Sequence, residues 1–178
     1  KEEKTEEERR RDLIQGTSFF ADIDEEEVVY LAMSLVHKTY KAGDVVLQRG
    51  EEGTSMFFIQ DGLADVYIWI ESQNSEKRVA SMIGGTSFGE MSLLTGEPRS
   101  ATIKAKTELK LFELRKEYVQ ELLHKRPQLA QSISSIIATY KLRDKAVREK
   151  HGKNTQVEER ETFSKQLLGK IQSFFQLS

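Results

Sequence analysis

The stretch that decides the reading of this chain is Ser87–Ile103, SFGEMSLLTGEPRSATI. It places one carboxylate, Glu90, and one guanidinium, Arg99, in a largely apolar run, with the turn Gly96-Glu97-Pro98 between them. Residues 89–94 have the composition of a short helical turn, and Gly89 lets the backbone come close to a ligand. Unsatisfied N–H groups at the start of such a turn form a cradle for an anion. Arg99 adds a forked pair of donors that suits a phosphate. Glu90 would be repelled by that anion unless it accepts a hydrogen bond from a neighbouring hydroxyl, such as a ribose 2'-OH. Ser100 and Thr102 alternate with Ala101 and Ile103, so a hydroxyl can reach the phosphate or a base edge while Ile103 packs inward. A partly buried Glu90–Arg99 salt bridge beside a tight turn satisfies the same two charges. From the charges alone, both readings stand.

Outward from this stretch, the periodicity describes a β region between helices. From Val36 the chain is a series of short β-type runs separated by Ala-Gly-Asp, Arg-Gly-Glu-Glu-Gly, Asp-Gly and Ser-Gln-Asn-Ser turns. Ala64, Val66, Ile68 and Ile70 alternate with Asp65, Tyr67, Trp69 and Glu71, which predicts a strand with one buried face. The expected fold is mainly β with flanking helices: an antiparallel β-roll or jelly-roll barrel with N-terminal helices and a long C-terminal helix. The opening KEEKTEEERRRDLIQG reads as a solvated helix. Asp24 and Glu27 have the spacing of a capping box, ahead of a face formed by Val28, Leu31, Ala32 and Leu35. Residues 108–114, ELKLFEL, should form the last strand. Pro127 should start a helix whose apolar face is Leu129, Ile133, Ile136, Ile137 and Tyr140. After a break at 151–154, Phe163, Leu167, Ile171 and Phe174 make a stripe that fits either packing within one subunit or self-association into a homo-oligomer. The divisions are a charged helical leader or linker at 1–18, a ligand-binding domain at 19–150 and an amphipathic tail helix at 151–178.

Composition removes several function classes. The 27 basic and 29 acidic side chains of this 178-residue chain leave a net charge of -2, which supplies no general attraction for nucleic acid or an anionic membrane. With no cysteine, thiol chemistry and thiolate-ligated metals are excluded. No apolar run approaches the roughly 18 residues that a spanning helix requires, so no direct membrane insertion of this segment is expected. The first residue is Lys1 rather than Met, which suggests a fragment of a longer chain, whose other parts could include a membrane domain without leaving a trace here. His37, His124 and His151 stand apart, without metal-ligand spacing, and no nucleophile–base–orienter set is visible. The expectation is a protein that is not an enzyme and carries neither metal nor cofactor.

FGEMSLLTGEPRSATI resembles the phosphate-binding cassette of the cyclic nucleotide-binding domain family: Phe-Gly-Glu, a short helix with paired leucines, then Pro-Arg followed by small residues and Ala-Thr. The resemblance covers roughly Phe19 to Arg148. Gly43, Gly50 and Gly62 match the family's turns, while Ala64 stands where many members carry a β-branched residue. The resemblance implies that Glu90 holds the ribose hydroxyl and Arg99 the cyclic phosphate. Backbone groups of Gly89, Glu90 and Met91 assist, with the small residue Ser100. The full implied set is Phe88, Gly89, Glu90, Met91, Ser92, Arg99, Ser100 and Ala101, with Tyr140, Lys141 or Arg143 capping the base. It further implies cAMP, favoured over cGMP, as regulatory ligand. The cassette wording is similar to that of bacterial cyclic nucleotide-regulated ion channels, including relatives of small-conductance mechanosensitive channels. That implies a ligand sensor on the cytoplasmic face of the inner membrane. The alternatives are a cAMP-dependent transcription factor, a kinase-type regulatory protein, or a degenerate domain used only for assembly.

Overall fold

The computed structural model describes the backbone of residues 2–149 and 153–177 and the side chains of residues 2–142 and 157–177. Helix α1 spans Glu6–Gln15. The Thr5 hydroxyl and the Glu8 carboxylate each accept the other residue's backbone N–H, so two of the helix's orphan donors are satisfied reciprocally. The helix is docked rather than solvated throughout, because Ile14 is fully buried and Arg10 Nη1 donates to the Leu35 carbonyl at 2.7 Å. A 3-10 turn, Ser18–Phe20, buries Phe19 and Phe20. Helix α2, Glu25–Ser34, has the expected capping box: Asp24 accepts from Glu27 N at 2.9 Å, and Glu27 accepts from Asp24 N at 2.8 Å. Its face of Val28, Leu31 and Ala32, continued by Leu35, is buried.

The strands are β1 Val36–Tyr40, β2 Val45–Leu47, β3 Ser55–Asp61, β4 Ala64–Ile70, β5 Ser75–Met82, β6 Ser87–Phe88, β7 Thr102–Ala105 and β8 Leu109–Arg115, with helix α3, Glu90–Thr95, between β6 and β7. They form two antiparallel sheets, in the orders β1-β8-β3-β6 and β2-β7-β4-β5. This corrects the closed jelly-roll expected from the sequence: the fold is mixed α/β, with two open sheets and flanking helices. Closure needs ladders between edge strands. Here β6 has two residues and β2 three, too few to carry such a ladder, and β5 runs exposed along nearly its whole length.

Both faces of the first sheet are covered. On β3 and β8, Met56, Phe58, Phe112 and Leu114 point into a core shared with the helices, while Phe57, Ile59, Leu109 and Leu111 point into a second core between the sheets. Double burial explains why SMFFI and LKLF read as nearly continuous apolar runs instead of alternating. The alternation expected on β4 is only partial. Ala64 and Asp65 are both buried, and Asp65 is accommodated by the Ser81 hydroxyl, which donates to it at 2.6 Å.

Helices α4, Lys116–Lys125, α5, Leu129–Glu149, and α6, Lys153–Phe174, complete the chain. Pro127 lies just ahead of α5, which buries Leu129, Ile133 and Ile137. Of the break expected at 151–154, residues 151 and 152 lie outside the described residues. The α6 stripe is not a free surface: Leu167, Ile171 and Phe175 are buried in the helix-side core, with Phe163 and Phe174 packed against it. The helix is anchored at its end by His124, whose ring nitrogen lies 2.8 Å from the Phe175 carbonyl. Among the described residues, no helix is long and apolar enough to cross a membrane.

Candidate functional site

Helix α3 is held between two glycines in the left-handed region, Gly89 at φ 85° and Gly96 at φ 74°. At Gly89 the requirement is also spatial, since a Cβ there would lie 2.9 Å from Arg99 Nη1. The first amides of so short a helix lack intrahelical acceptors and are free to serve an anion.

Arg99 is 6% exposed and locked from several sides. Its Nη1 donates to the carbonyls of Ser55 at 2.8 Å and Gly89 at 3.2 Å, and its Nη2 to the Ser55 hydroxyl at 3.4 Å. Its backbone is tied to the turn before β3: Arg99 N donates to Glu51 O at 2.9 Å, and Gly50 N to Arg99 O at 2.8 Å. The same turn presents Gly53, where a Cβ would fall 2.1 Å from Arg99 Nε. Burial pulls the pKa of Arg99 below the ordinary arginine value, and the charges of Glu113 and Glu51 oppose that shift. The side chain is therefore a cation held in a fixed orientation.

Glu90 is not paired with Arg99. Its carboxylate lies 3.8 Å from Lys141 Nζ on α5, which overturns the simple salt-bridge reading of the quoted stretch. Thr102 is 1% exposed; its oxygen accepts from Arg49 N at 3.0 Å, and its proton goes to Glu76 at 3.0 Å. That leaves exposed Ser100 as the available hydroxyl of the pair.

Arg99, Glu90 and Ser100 border a half-open cleft of about 390 Å³. Phe88, Gly89, Glu90, Met91, Ser92, Arg99, Ser100 and Ala101 all line it, together with Lys141. The side chain of Arg143 lies outside the described residues. Of the histidines, His37 pairs with Glu6 and His124 meets Phe175 as above, while His151 lies outside the described residues.

Sequence reasoning missed the apolar wall of Leu47, Val66 and Met82 opposite the cassette. It also missed the support behind Arg99, namely Gly53, Ser55 and Glu113. A signal for Glu113 was present, because it occupies the inward position that follows Leu109 and Leu111. Chemically, the cleft offers a fixed cation for an anion, a carboxylate with an exchangeable lysine partner for a hydroxyl, and an apolar wall for a planar base.

Residues 37–126 match the family model described as the cyclic nucleotide-binding domain. The chain is 37% identical over 108 residues to a cAMP-dependent protein kinase regulatory subunit from Dictyostelium discoideum, a match covering 60% of this chain and 32% of that protein. It thus spans about a third of the length of that curated relative. Among solved structures, it is similar to the regulatory domain of Toxoplasma gondii PKA crystallised with cAMP, at TM-score 0.65 and 20% identity, covering 76% of this chain and 51% of that one. It is also similar to the N-terminal domain of a transcriptional regulator from Streptomyces coelicolor A3(2), at TM-score 0.64 and 26% identity, covering 77% of this chain and 95% of that one.

Proposed function

The chain belongs to the cyclic nucleotide-binding domain family, and on that premise we propose that it is a cAMP-sensing regulatory domain of the kind found in kinase regulatory subunits. It is a regulatory, non-catalytic unit, in keeping with its relatives. The observation that carries the ligand reading is Arg99: a buried guanidinium, pre-oriented by two carbonyls and one hydroxyl, beside the first turn of α3. A cyclic phosphate on Arg99 brings the ribose hydroxyl to Glu90, displacing Lys141, and lays the base along Val66, Met82 and α5. Ser100, with its hydroxyl, does not exclude guanine. cAMP is favoured because the Toxoplasma structure was crystallised with it and the Dictyostelium relative is a cAMP-dependent subunit.

The output of the parent protein is part of this proposal. The ion-channel sensor, with its location at the inner face of a membrane, rests on analogy of the cassette wording and leader, and none of the relatives reported above is a channel. The relatives reported above are a kinase regulatory subunit, a PKA regulatory domain and a transcriptional regulator, and they favour those outputs. The test is titration calorimetry of the chain with cAMP and cGMP in parallel, repeated on Arg99→Ala. Saturable binding lost in the variant, with cAMP the tighter ligand, is expected. Binding of neither nucleotide would move the protein to a degenerate assembly role.

A further inference from the structure

Strand β8 carries a carboxylate where its own pattern calls for an apolar side chain. Leu109, Leu111 and Glu113 share the face turned between the sheets, and Glu113 is only 8% exposed. Burying a carboxylate there is costly unless it is paired and fully hydrogen-bonded. Its Oε1 accepts from Arg115 Nε at 3.0 Å and lies 3.7 Å from Lys38 Nζ. Its Oε2 is engaged differently, accepting the Ser55 hydroxyl proton at 3.1 Å.

That hydroxyl has one proton to give. Once the proton is committed to Glu113, only lone pairs remain for Arg99 Nη2, at 3.4 Å, while the Ser55 carbonyl takes Nη1 at 2.8 Å. Without Glu113 the hydroxyl is free to turn its proton toward the guanidinium, donor against donor. The charge of Glu113 also acts on Arg99, favouring its cationic form. Asp65 supplies a contrast: it is equally buried, at 8%, but its partners are Ser81 and Arg78, with no group of the cleft's cation among them.

We propose that Glu113 is a positioning residue for Arg99: by taking the Ser55 proton it fixes that hydroxyl as an acceptor and sets the angle at which the guanidinium meets the ligand's phosphate. The proposal deepens the reading above and rests on Arg99 being the phosphate ligand.

The experiment measures binding of cAMP and of its two phosphorothioate diastereomers, in which sulfur replaces one or the other exocyclic oxygen. The proteins are the 178-residue chain and its variants Glu113→Leu, Ser55→Ala, Glu113→Gln, Asp65→Asn and Arg99→Ala, each checked by thermal melting. The wild-type chain should discriminate between the diastereomers at least severalfold. Glu113→Leu and Ser55→Ala should weaken cAMP by about tenfold, a loss of one hydrogen bond's order, and bring the diastereomer ratio close to one. Glu113→Gln, which keeps an acceptor oxygen, should restore the ratio, and Asp65→Asn should leave it unchanged. Uniform weakening with the ratio preserved, unchanged binding, or a wild-type ratio near one overturns the proposal. If Glu113→Leu does not fold, Ser55→Ala decides, because it removes only the relay hydroxyl. Failure of the parent reading looks different: the wild-type chain binds none of the three ligands, or Arg99→Ala binds them equally well. Binding that needs Arg99 but ignores Ser55 and Glu113 overturns the positioning role alone.

Discussion

The two cores of this molecule are built from opposite faces of the same strands, yet they are constituted differently. On the helix side, Phe58, Phe112 and Leu114 meet Phe20, Leu31, Leu122, Ile137 and Ile171 in a mainly apolar layer, where a buried hydroxyl such as Ser134 returns its proton to its own helix, at the Ala130 carbonyl. Between the sheets, Phe57, Ile59 and Leu111 share their layer with Glu113, which carries the Ser55 hydroxyl and, through it, the Arg99 guanidinium; both charged groups are at most 8% exposed. Burying two charged groups beside a small apolar core is an expensive way to gain stability. It is a sensible way to hold donors and acceptors at fixed angles, because each group's partners restrict its rotation. The helix-side core supplies stability, and the inter-sheet core is where the proposed function puts ligand binding.

Substitutions that separate the two cores test this division. The largest effect should come from Phe20→Ala, whose side chain is 2% exposed in the helix-side core. Chemical denaturation should show a loss of about 3–5 kcal/mol, with cAMP affinity nearly unchanged in buffer. Arg99→Ala should reverse the pattern, lowering binding by roughly 2–5 kcal/mol in calorimetry and stability by less, because the lost partner is a charge desolvated with the phosphate. Gly53→Ala sharpens the contrast further. A Cβ 2.1 Å from Arg99 Nε must push the guanidinium aside, and binding should fall by about 1–3 kcal/mol.

Smaller effects are expected at the rim. Lys141 is 42% exposed and 3.8 Å from Glu90, so Lys141→Ala should change cAMP affinity by less than about 1 kcal/mol. Its value lies in the sign: tighter binding means that the lysine competes with the ribose hydroxyl. The smallest effect belongs to Glu6, whose pKa is lowered by hydrogen bonds from His37 and Arg10. A carboxylate with a lowered folded pKa binds fewer protons folded than unfolded. Its contribution is present above about pH 4.3 and lost as pH falls through the lowered value. Melting curves of wild type and Glu6→Gln should therefore differ near neutrality and converge in acid.

Much of this architecture was legible because it rests on local chemistry. The capping box of Asp24 and Glu27 needs only three-residue spacing, and the cassette helix with its flanking glycines is a continuous string. What escaped depends on distant partners. Openness of the sheets followed from the brevity of β2 and β6, and strand length is poorly encoded in turn residues. The Glu90–Arg99 salt bridge was plausible by charge alone, whereas the actual partner, Lys141, arrives from a helix about fifty residues later in the chain. The tail stripe could not reveal what covers it, and the structure packs Phe174 against Gly96 and pairs Lys170 with Glu97 at 2.7 Å. Ser55 and Glu113 meet across adjacent strands at a diagonal offset that only register fixes.

The most direct test of the account is the Arg99 guanidinium itself, observed by nuclear magnetic resonance. Its Nε–H resonance, assigned by its loss in Arg99→Lys, would be followed as cAMP is added to the labelled chain. The account requires that resonance to shift and saturate together with the backbone amides of Gly89, Glu90 and Met91. An Arg99 resonance that stays in place at saturating cAMP, or while those amides move, would contradict a phosphate held between the two sheets.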